Sequence, residues 1–519
     1  METLLVWLLR LMLLLLGAGA AVWIAHWVRD ALRERRETWA VRTGLGMLLL
    51  AAIYAAGHAR LLIQRTTLEE GRARYARYGD PRLAEIRRAE VRGWILDCTG
   101  DGDRALARYD SADGEIVRSY PLGQGGANLV GGGEGAGLRD YTIERLYASR
   151  LREPRDWRER GQLHPAGSNL RLTLCRGATG QAWQLLRGAG RPGAVVVQDV
   201  ATGAVVAYAA TGGPGDPPLG IRRYAPPGSV IKLALAALWW ENGLPDTQMG
   251  CPSTIEVTPR ATISNAGRFS IPSVEVPHGM LVPSCNTTAV AMALQMREQL
   301  GAEAFIEGYR RFGFTPYDDP APQGVEPEFW ATSSSAWQRR MSPPPSRLRI
   351  SDATGAAEWA QLAIGQGPID VTVVGISRFV QAIGNNGIML RPTLEWEQAE
   401  SPSEVERVMS AETARRLQVA MRDVVERGTA RSVAPRLRGI PWRLGGKTGT
   451  AQIPGAPDDG WFAGLIFGPD EAPRYSVVVY LQGGGPGGAR PASIAAELTR
   501  FLASDAEVGG QVAARGSGR

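Results

Sequence analysis

Residues 226–243, PPGSVIKLALAALWWENG, read as a helix that carries its chemistry in its first turn. Pro227-Gly228 stop a helix from continuing upstream, and Gly243 closes the element. Residues three apart share one helix face, so the Ser229 hydroxyl and the Lys232 amine are expected to be neighbours. A serine at a helix N-terminus also feels the positive end of the dipole, which favours negative charge developing on its oxygen. These are the parts of an activated nucleophile. Alone, however, the pair is also what an ordinary helix cap followed by a solvated lysine would look like.

Composition shifts that balance. The chain has 58 Lys plus Arg, and only two of them are lysines, Lys232 and Lys447. Arginine serves solubility as well as lysine but stays protonated inside proteins. A lysine gives up its proton once burial and neighbours lower its pKa. An arginine-favouring genome is one account of the bias; the two remaining lysines are candidates for places where an amine, and not a guanidinium, is required.

Lys447 opens Lys447-Thr448-Gly449-Thr450 within LGGKTGTAQ, a strand-like run between glycine-rich turns, and Ser284-Cys285-Asn286 lies between the two lysines in LVPSCNTTAVAMA. The order S-x-x-K, S-x-N, K-T-G resembles the motif set of penicillin-binding proteins and serine β-lactamases. A phosphate-binding loop ending in Gly446-Lys447-Thr448 is excluded, because that pattern needs glycine where the chain has Pro441.

At 519 residues the chain has room for a large catalytic core, a smaller domain and an anchor. Its 44% apolar and 21% charged content is that of a folded protein. The net charge of +6 is spread along the chain without a basic block interleaved with aromatics, which gives nucleic-acid binding no support. Cys98, Cys175, Cys251 and Cys285 show no metal-ligand spacing, and none of His26, His58, His164 and His278 pairs usefully with them, so neither a metal nor another cofactor is expected. Cys251 and Cys285 are available for a disulfide outside the cytoplasm, though spacing does not decide the pairing.

Residues 4–28 are almost wholly apolar and long enough to span a bilayer; residues 41–63 are a second candidate span. A cleaved signal peptide competes for the first, but no basic residue precedes Leu4 and the apolar run continues through Val22-Trp23-Ile24. Arg29, Arg33, Arg35, Arg36 and Arg42 place the connecting loop in the cytoplasm and everything after residue 63 outside, although Arg60, Arg65, Arg72 and Arg74 work against this.

Residues 64–185 suggest a small non-catalytic α+β module with a helical start at 67–77, short strands (GWILDC, ALARYDS, GEIVRSY) and a glycine-rich loop at 129–137. Residues 186–505 suggest the catalytic domain, and 506–519 a flexible tail. A hairpin is expected over 194–210 about Thr202-Gly203. Helical patterns follow at 295–312, 371–384 and 413–425, with a Pro/Ser-rich surface loop at 315–350. Three late strands, including WFAGLIF and RYSVVVYL, and a closing helix, PASIAAELTRFLAS, imply an antiparallel sheet assembled from both ends of the domain. The fold class is α+β, with catalytic groups where that sheet meets a helical lobe.

Over residues 90–500 the chain resembles the class B penicillin-binding proteins, monofunctional D,D-transpeptidases of peptidoglycan synthesis. Arg92-Gly93, Ile95 and Asp97 look like the family's R-G-x-I-x-D entry to its N-terminal module, with Cys98 where arginine is usual and Cys175 in an unusual place. GQGPIDVTVVGISRFVQAIGNNG and VVERGTARSV resemble further family segments. The resemblance implies Ser229 as nucleophile toward a stem peptide ending in D-Ala-D-Ala, a neutral Lys232 as base, and Ser284 as proton relay beside Lys447. It implies Asn286 on the substrate amide and Lys447, Thr448, Gly449 and Thr450 at the terminal carboxylate, with the N–H groups of Ser229 and Thr450 as oxyanion hole. β-Lactams are implied as ligands, and an integral-membrane glycan polymerase as partner, a lone anchor being the alternative. The implied location is the cell membrane, with the catalytic domain on the extracytoplasmic side.

A class A β-lactamase shares the motifs but needs E-x-x-L-N between Asn286 and Lys447, and none occurs. No sensor domain is visible, and too few residues precede Gly193 for a glycosyltransferase. A catalytically idle scaffold for a membrane polymerase is the alternative from another class; it has no need of Ser229, Lys232, Ser284, Asn286 and Lys447 together.

Overall fold

A computed structural model describes residues 92–112, 115–131, 142–152, 167–212, 218–315, 346–351, 353–400 and 405–504, with scattered positions between 22 and 50. Residues 1–91 and 92–519 form two compact units. Among the described residues no helix is long and apolar enough to cross a membrane. The expected spans 4–28 and 41–63 lie largely outside the described residues. So do the helical start at 67–77, most of 129–137 and 315–350, and the tail at 506–519.

In the second unit, α1 (Arg176–Gly188) leads into β1 (Gly193–Asp199) and β2 (Val205–Ala210). This is the expected hairpin: Asp199 Oδ1 accepts from the N–H groups of Ala201 and Thr202, and Gly203 takes a left-handed φ of +75° that closes the turn. The helical lobe follows, with α2 (Lys232–Glu241), α3 (Asn286–Leu300), α4 (Ala302–Arg311), α5 (Ala356–Ala363), α6 (Val373–Gly384) and α7 (Ala411–Glu426). The chain then returns to the sheet as β3 (Arg443–Ala451), β4 (Asp459–Phe467) and β5 (Pro473–Leu481), and closes on α8 (Arg490–Ser504). The five-stranded sheet has the order β3-β4-β5-β1-β2, antiparallel throughout.

Both sheet faces are covered, which is why its central strands read as unbroken apolar runs. Side chains alternate across a strand, so Ala194, Val196, Val478 and Tyr480 join the core shared with α2, α3 and α6. Val195, Val197, Val477 and Val479 join a second core with α1 and α8. α2 is apolar on nearly every side because it runs through the first core, buried from Lys232 to Trp239.

Two readings from sequence need correction. The single helix expected over 295–312 is two helices, because Gly301 at φ +82° caps α3 and restarts the chain as α4. Residues 247–276 also hold a pair of hairpins that periodicity did not reveal: Thr247–Cys251 pairs with Ile271–Val276, and Thr254–Thr258 with Ala261–Ser264.

The N-terminal module pairs Ile95–Leu96 with Leu170–Arg171 and folds Arg108–Ala112 back on Glu115–Ser119. Its buried Glu144 accepts from Arg92 at 2.8 Å and from Arg118 at 2.9 Å. Cys98, standing where the resemblance expects arginine, is bonded to Cys175 at the start of α1. Asp97 accepts from the Arg176 N–H at the same junction.

Candidate active site

The helix read from residues 226–243 has a tighter first turn than expected. A 3-10 turn, Gly228–Ile231, carries Ser229, and α2 begins at Lys232. Gly228 has φ +53°, a conformation that favours glycine. A Cβ there would sit 2.5 Å from the Thr450 carbonyl oxygen, and one on Gly449 would sit 2.6 Å from that of Pro227. The two glycines let the serine turn lie against β3, backbone to backbone. Among the described residues β3 is the edge strand of the sheet, paired with β4 on one side, and its other edge runs beside that turn.

Lys232 is fully buried. Its Nζ donates to the Ser284 carbonyl at 2.8 Å and to Asn286 Oδ1 at 2.6 Å, and stands 3.3 Å from Ser284 Oγ. Sequence reading set the amine against Ser229, but no hydrogen bond joins the two here, and Ser229 Oγ has no hydrogen-bond partner among the described residues. Lys447, equally buried, donates from Nζ to Ser284 Oγ at 2.8 Å and to the Thr448 carbonyl at 3.0 Å. Ser284 thus joins the two amines, and it holds a left-handed φ of +62°, rare for a residue with a side chain. Burial, and then the Lys447 charge, hold the Lys232 amine well below the usual lysine range; burial lowers Lys447 to about 7. Lys447 is therefore able to exchange a proton near neutrality, and Lys232 gives up its proton far more readily than an ordinary lysine, unlike any arginine in the chain.

The remaining sequence candidates surround this centre. Asn286 is the first residue of α3, with Cys285 before it bonded to Cys251. The Asn286 Nδ2 donates to the Ser264 carbonyl at 2.8 Å, which orients its oxygen toward Lys232. Thr448 Oγ1 is 2.7 Å from Thr429 Oγ1, and the Gly487 N–H reaches Thr450 Oγ1 at 3.4 Å.

Several contributors were not singled out from sequence. Thr429 lies in VVERGTARSV, noted only as a family-like segment. Its N–H donates to the Val282 carbonyl, so it ties β3 to the loop before Ser284. His278 Nε2, 2.6 Å from Asp423 Oδ2, clamps that loop to α7. Gln366, in the Gly365-Gln366-Gly367 run, reaches the Thr450 carbonyl at 3.5 Å, and the Gly228 N–H donates to the Gly365 carbonyl at 2.9 Å. Asn265 had no local signal at all.

A five-stranded sheet, a helical lobe and two buried lysines meeting at Ser284 beside the Ser229 turn define a transpeptidase-type domain. Residues 193–500 match the family model described as the penicillin binding protein transpeptidase domain, and the chain belongs to that family. The class B resemblance drawn from its motifs holds. Penicillin-binding protein PbpB of Mycolicibacterium smegmatis is 28% identical over 277 residues, which cover 49% of this chain and 38% of that relative. The chain therefore matches well under two thirds of that relative's length. Among solved structures it is similar to the D,D-transpeptidase domain of a peptidoglycan glycosyltransferase from Eggerthella lenta, with a TM-score of 0.60, 24% identity, and coverage of 82% of this chain and 100% of that one. Penicillin-binding protein A from M. tuberculosis, solved as a ceftriaxone acyl-enzyme complex, matches with a TM-score of 0.62 at 21% identity, over 81% of this chain and 100% of that one. Penicillin-binding protein 3 from M. tuberculosis matches with a TM-score of 0.60 at 24% identity, over 80% and 95%. At these identities the likeness is one of fold.

Proposed function

We propose that this protein is a peptidoglycan D,D-transpeptidase that crosslinks stem peptides through a Ser229 acyl-enzyme and is acylated at that serine by β-lactams. The observation that carries the reading is the pair of buried lysines meeting at Ser284, beside a serine turn whose hydroxyl is uncommitted. A neutral amine has two N–H donors and one lone pair. Lys232 spends its donors on the Ser284 carbonyl and Asn286 Oδ1, neither of which donates in return. Its third contact is Ser284 Oγ at 3.3 Å, a hydroxyl able to donate to the lone pair that a general base uses to accept a proton.

In acylation Ser229 Oγ attacks the carbonyl of the penultimate D-alanine and its proton passes to Lys232. The tetrahedral oxyanion is met by the N–H groups of Ser229 and Thr450. The C–N bond then breaks, and the departing D-alanine amine takes a proton relayed through Ser284. A second peptide's amine attacks the ester, its proton returns through the same groups, and Ser229 is released with an amide crosslink formed. Lys447, Thr448 and Thr450 receive the terminal carboxylate, with Gly449 admitting the substrate backbone, and Asn286 orients the amide. The ceftriaxone acyl-enzyme of penicillin-binding protein A supports β-lactams as ligands of the same fold.

Two disulfides, Cys98–Cys175 and Cys251–Cys285, support an oxidising compartment and so a catalytic unit outside the cytoplasm, while the proposed membrane anchor rests on the apolar sequence stretches 4–28 and 41–63. An integral-membrane glycan polymerase is the partner the family resemblance implies. The test is a synthetic peptide ending in D-Ala-D-Ala, offered with an acceptor amine. Release of D-alanine with formation of a new amide is expected, and its loss in Ser229→Ala. Absence of both products from the unmodified protein would favour the idle scaffold.

A further inference from the structure

We infer that Asn265, on the hairpin pair before α3, is a positioning residue that sets Asn286 against Lys232; this rests on the proposed acyl-enzyme reading. The first N–H groups of a helix have no partner inside it and need an acceptor from elsewhere. For α3 the residue at the cap position is Cys285, whose disulfide sulfur accepts from the Thr288 N–H at 3.4 Å and leaves the N–H groups of Asn286 and Thr287 to be met from elsewhere. The acceptor comes from a distant part of the chain: Asn265 Oδ1 accepts from the N–H of Asn286 at 2.7 Å and of Thr287 at 3.2 Å. The neighbouring Ser264 carbonyl accepts from Asn286 Nδ2 at 2.8 Å.

Residues 264–265 thus hold the start of α3 at three points. The only side-chain atom of Asn286 left to face the centre is Oδ1, presented to Lys232 at 2.6 Å. Asn265 is itself locked, being 3% exposed and donating from Nδ2 to the carbonyls of Pro252 at 2.8 Å and Phe269 at 3.0 Å. It hydrogen-bonds to neither Ser229 nor Lys232, so its influence passes through Asn286. With the oxygen removed, Asn286 is freed to turn, and Lys232 loses one of the two acceptors that aim its lone pair.

The experiment measures, on the full chain, the second-order rate constant for labelling by a fluorescent penicillin on the alkaline plateau. Asn265→Ala should slow labelling about ten- to a hundredfold while final stoichiometry is kept, as expected when a catalytic group is misplaced by about an ångström. In an Asn286→Ala background the same change should cost less than about threefold, because residues acting through one another are not additive. Asn265→Asp keeps the acceptor oxygen and loses the two donors; it should label within about threefold of the unmodified chain while melting lower.

The inference is overturned if Asn265→Ala labels within twofold of the unmodified chain, or if its loss is equally large in the Asn286→Ala background. Should Asn265→Ala not accumulate as folded protein, the aspartate variant decides, and a loss beyond threefold counts against the inference. An unmodified chain that does not label overturns the proposed function itself. Labelling that Asn265→Ala leaves unchanged overturns the positioning role alone.

Discussion

Lys232 Nζ lies 2.6 Å from Asn286 Oδ1, an amide oxygen that can only accept, and the bond from Asn286 Nδ2 to the Ser264 carbonyl keeps that oxygen, and not the nitrogen, facing the amine. With the Ser284 carbonyl as its second acceptor and the Ser284 hydroxyl, which can donate, as its third contact, the surroundings of the amine suit a neutral group. Burial supplies the driving force, since taking an ammonium out of water favours the uncharged form. The same logic explains why a chain otherwise built with arginine keeps lysine at these two positions.

Replacing Lys232 with methionine keeps most of the side chain's length and removes the lone pair. Acylation by a fluorescent penicillin should fall about 10²- to 10⁴-fold, the usual contribution of a positioned general base. Lys232→Arg should fall as far, because a guanidinium is never deprotonated. A loss smaller than tenfold in both would show that another group takes the serine proton.

Stability should carry the signature of a buried lysine. Lys447 titrates at about 7 in the folded protein, against about 10.4 for an unperturbed lysine. Between those values the unfolded chain binds a proton that the folded one does not, so unfolding free energy rises with pH across this window. Below about 7 both states are protonated and the contribution is flat. Between pH 8 and 9 one such group contributes a slope of about 1.4 kcal/mol per pH unit. Urea unfolding of Lys447→Met should show a slope lower by that amount; an unchanged slope would mean that Lys447 stays charged in the folded state.

Gly228 and Gly243 both have left-handed φ, +53° and +67°, but a Cβ on Gly228 meets the Thr450 backbone and one on Gly243 meets nothing within 4 Å. Gly228→Ala should push β3 from the serine turn and slow acylation by about a hundredfold or more. Gly243→Ala should leave the rate alone and cost about 1 kcal/mol of stability from backbone strain. Equal rates in the two variants would mean that the approach of β3 to Ser229 is not needed.

Cys251–Cys285 closes a loop between residues 34 apart and borders Asn286 directly. Converting both cysteines to serine should cost about 2–4 kcal/mol in urea unfolding, the range for a disulfide closing a loop of this size. The difference from the unmodified protein should vanish when both are unfolded under reducing conditions. If it persisted there, the loss would belong to the substituted side chains and not to the bond.

What could be read from the sequence was what is local. The hairpin over 194–210 announced itself through apolar β-branched residues about Thr202-Gly203, and the three motifs through fixed short spacings. Gly301 broke a stretch that looked continuous because a single glycine inside a helical pattern does not by itself announce the left-handed conformation it takes here. The Asn265–Asn286 contact and the Cys98–Cys175 bond span 21 and 77 residues, and no periodicity encodes such pairings. Nor did sequence show that Lys232 would bond Ser284 and Asn286 in place of Ser229. Helical spacing places two side chains on one face, but the lobe around them chooses their partners.

The most direct measurement is intact-protein and peptide mass spectrometry of the chain after incubation with benzylpenicillin. The expected result is one covalent adduct per molecule, confined to the peptide containing Ser229 and absent from Ser229→Ala. An adduct that survives in Ser229→Ala, or an unmodified chain that gains no mass under conditions in which it is folded, would contradict an acyl-enzyme built on this serine.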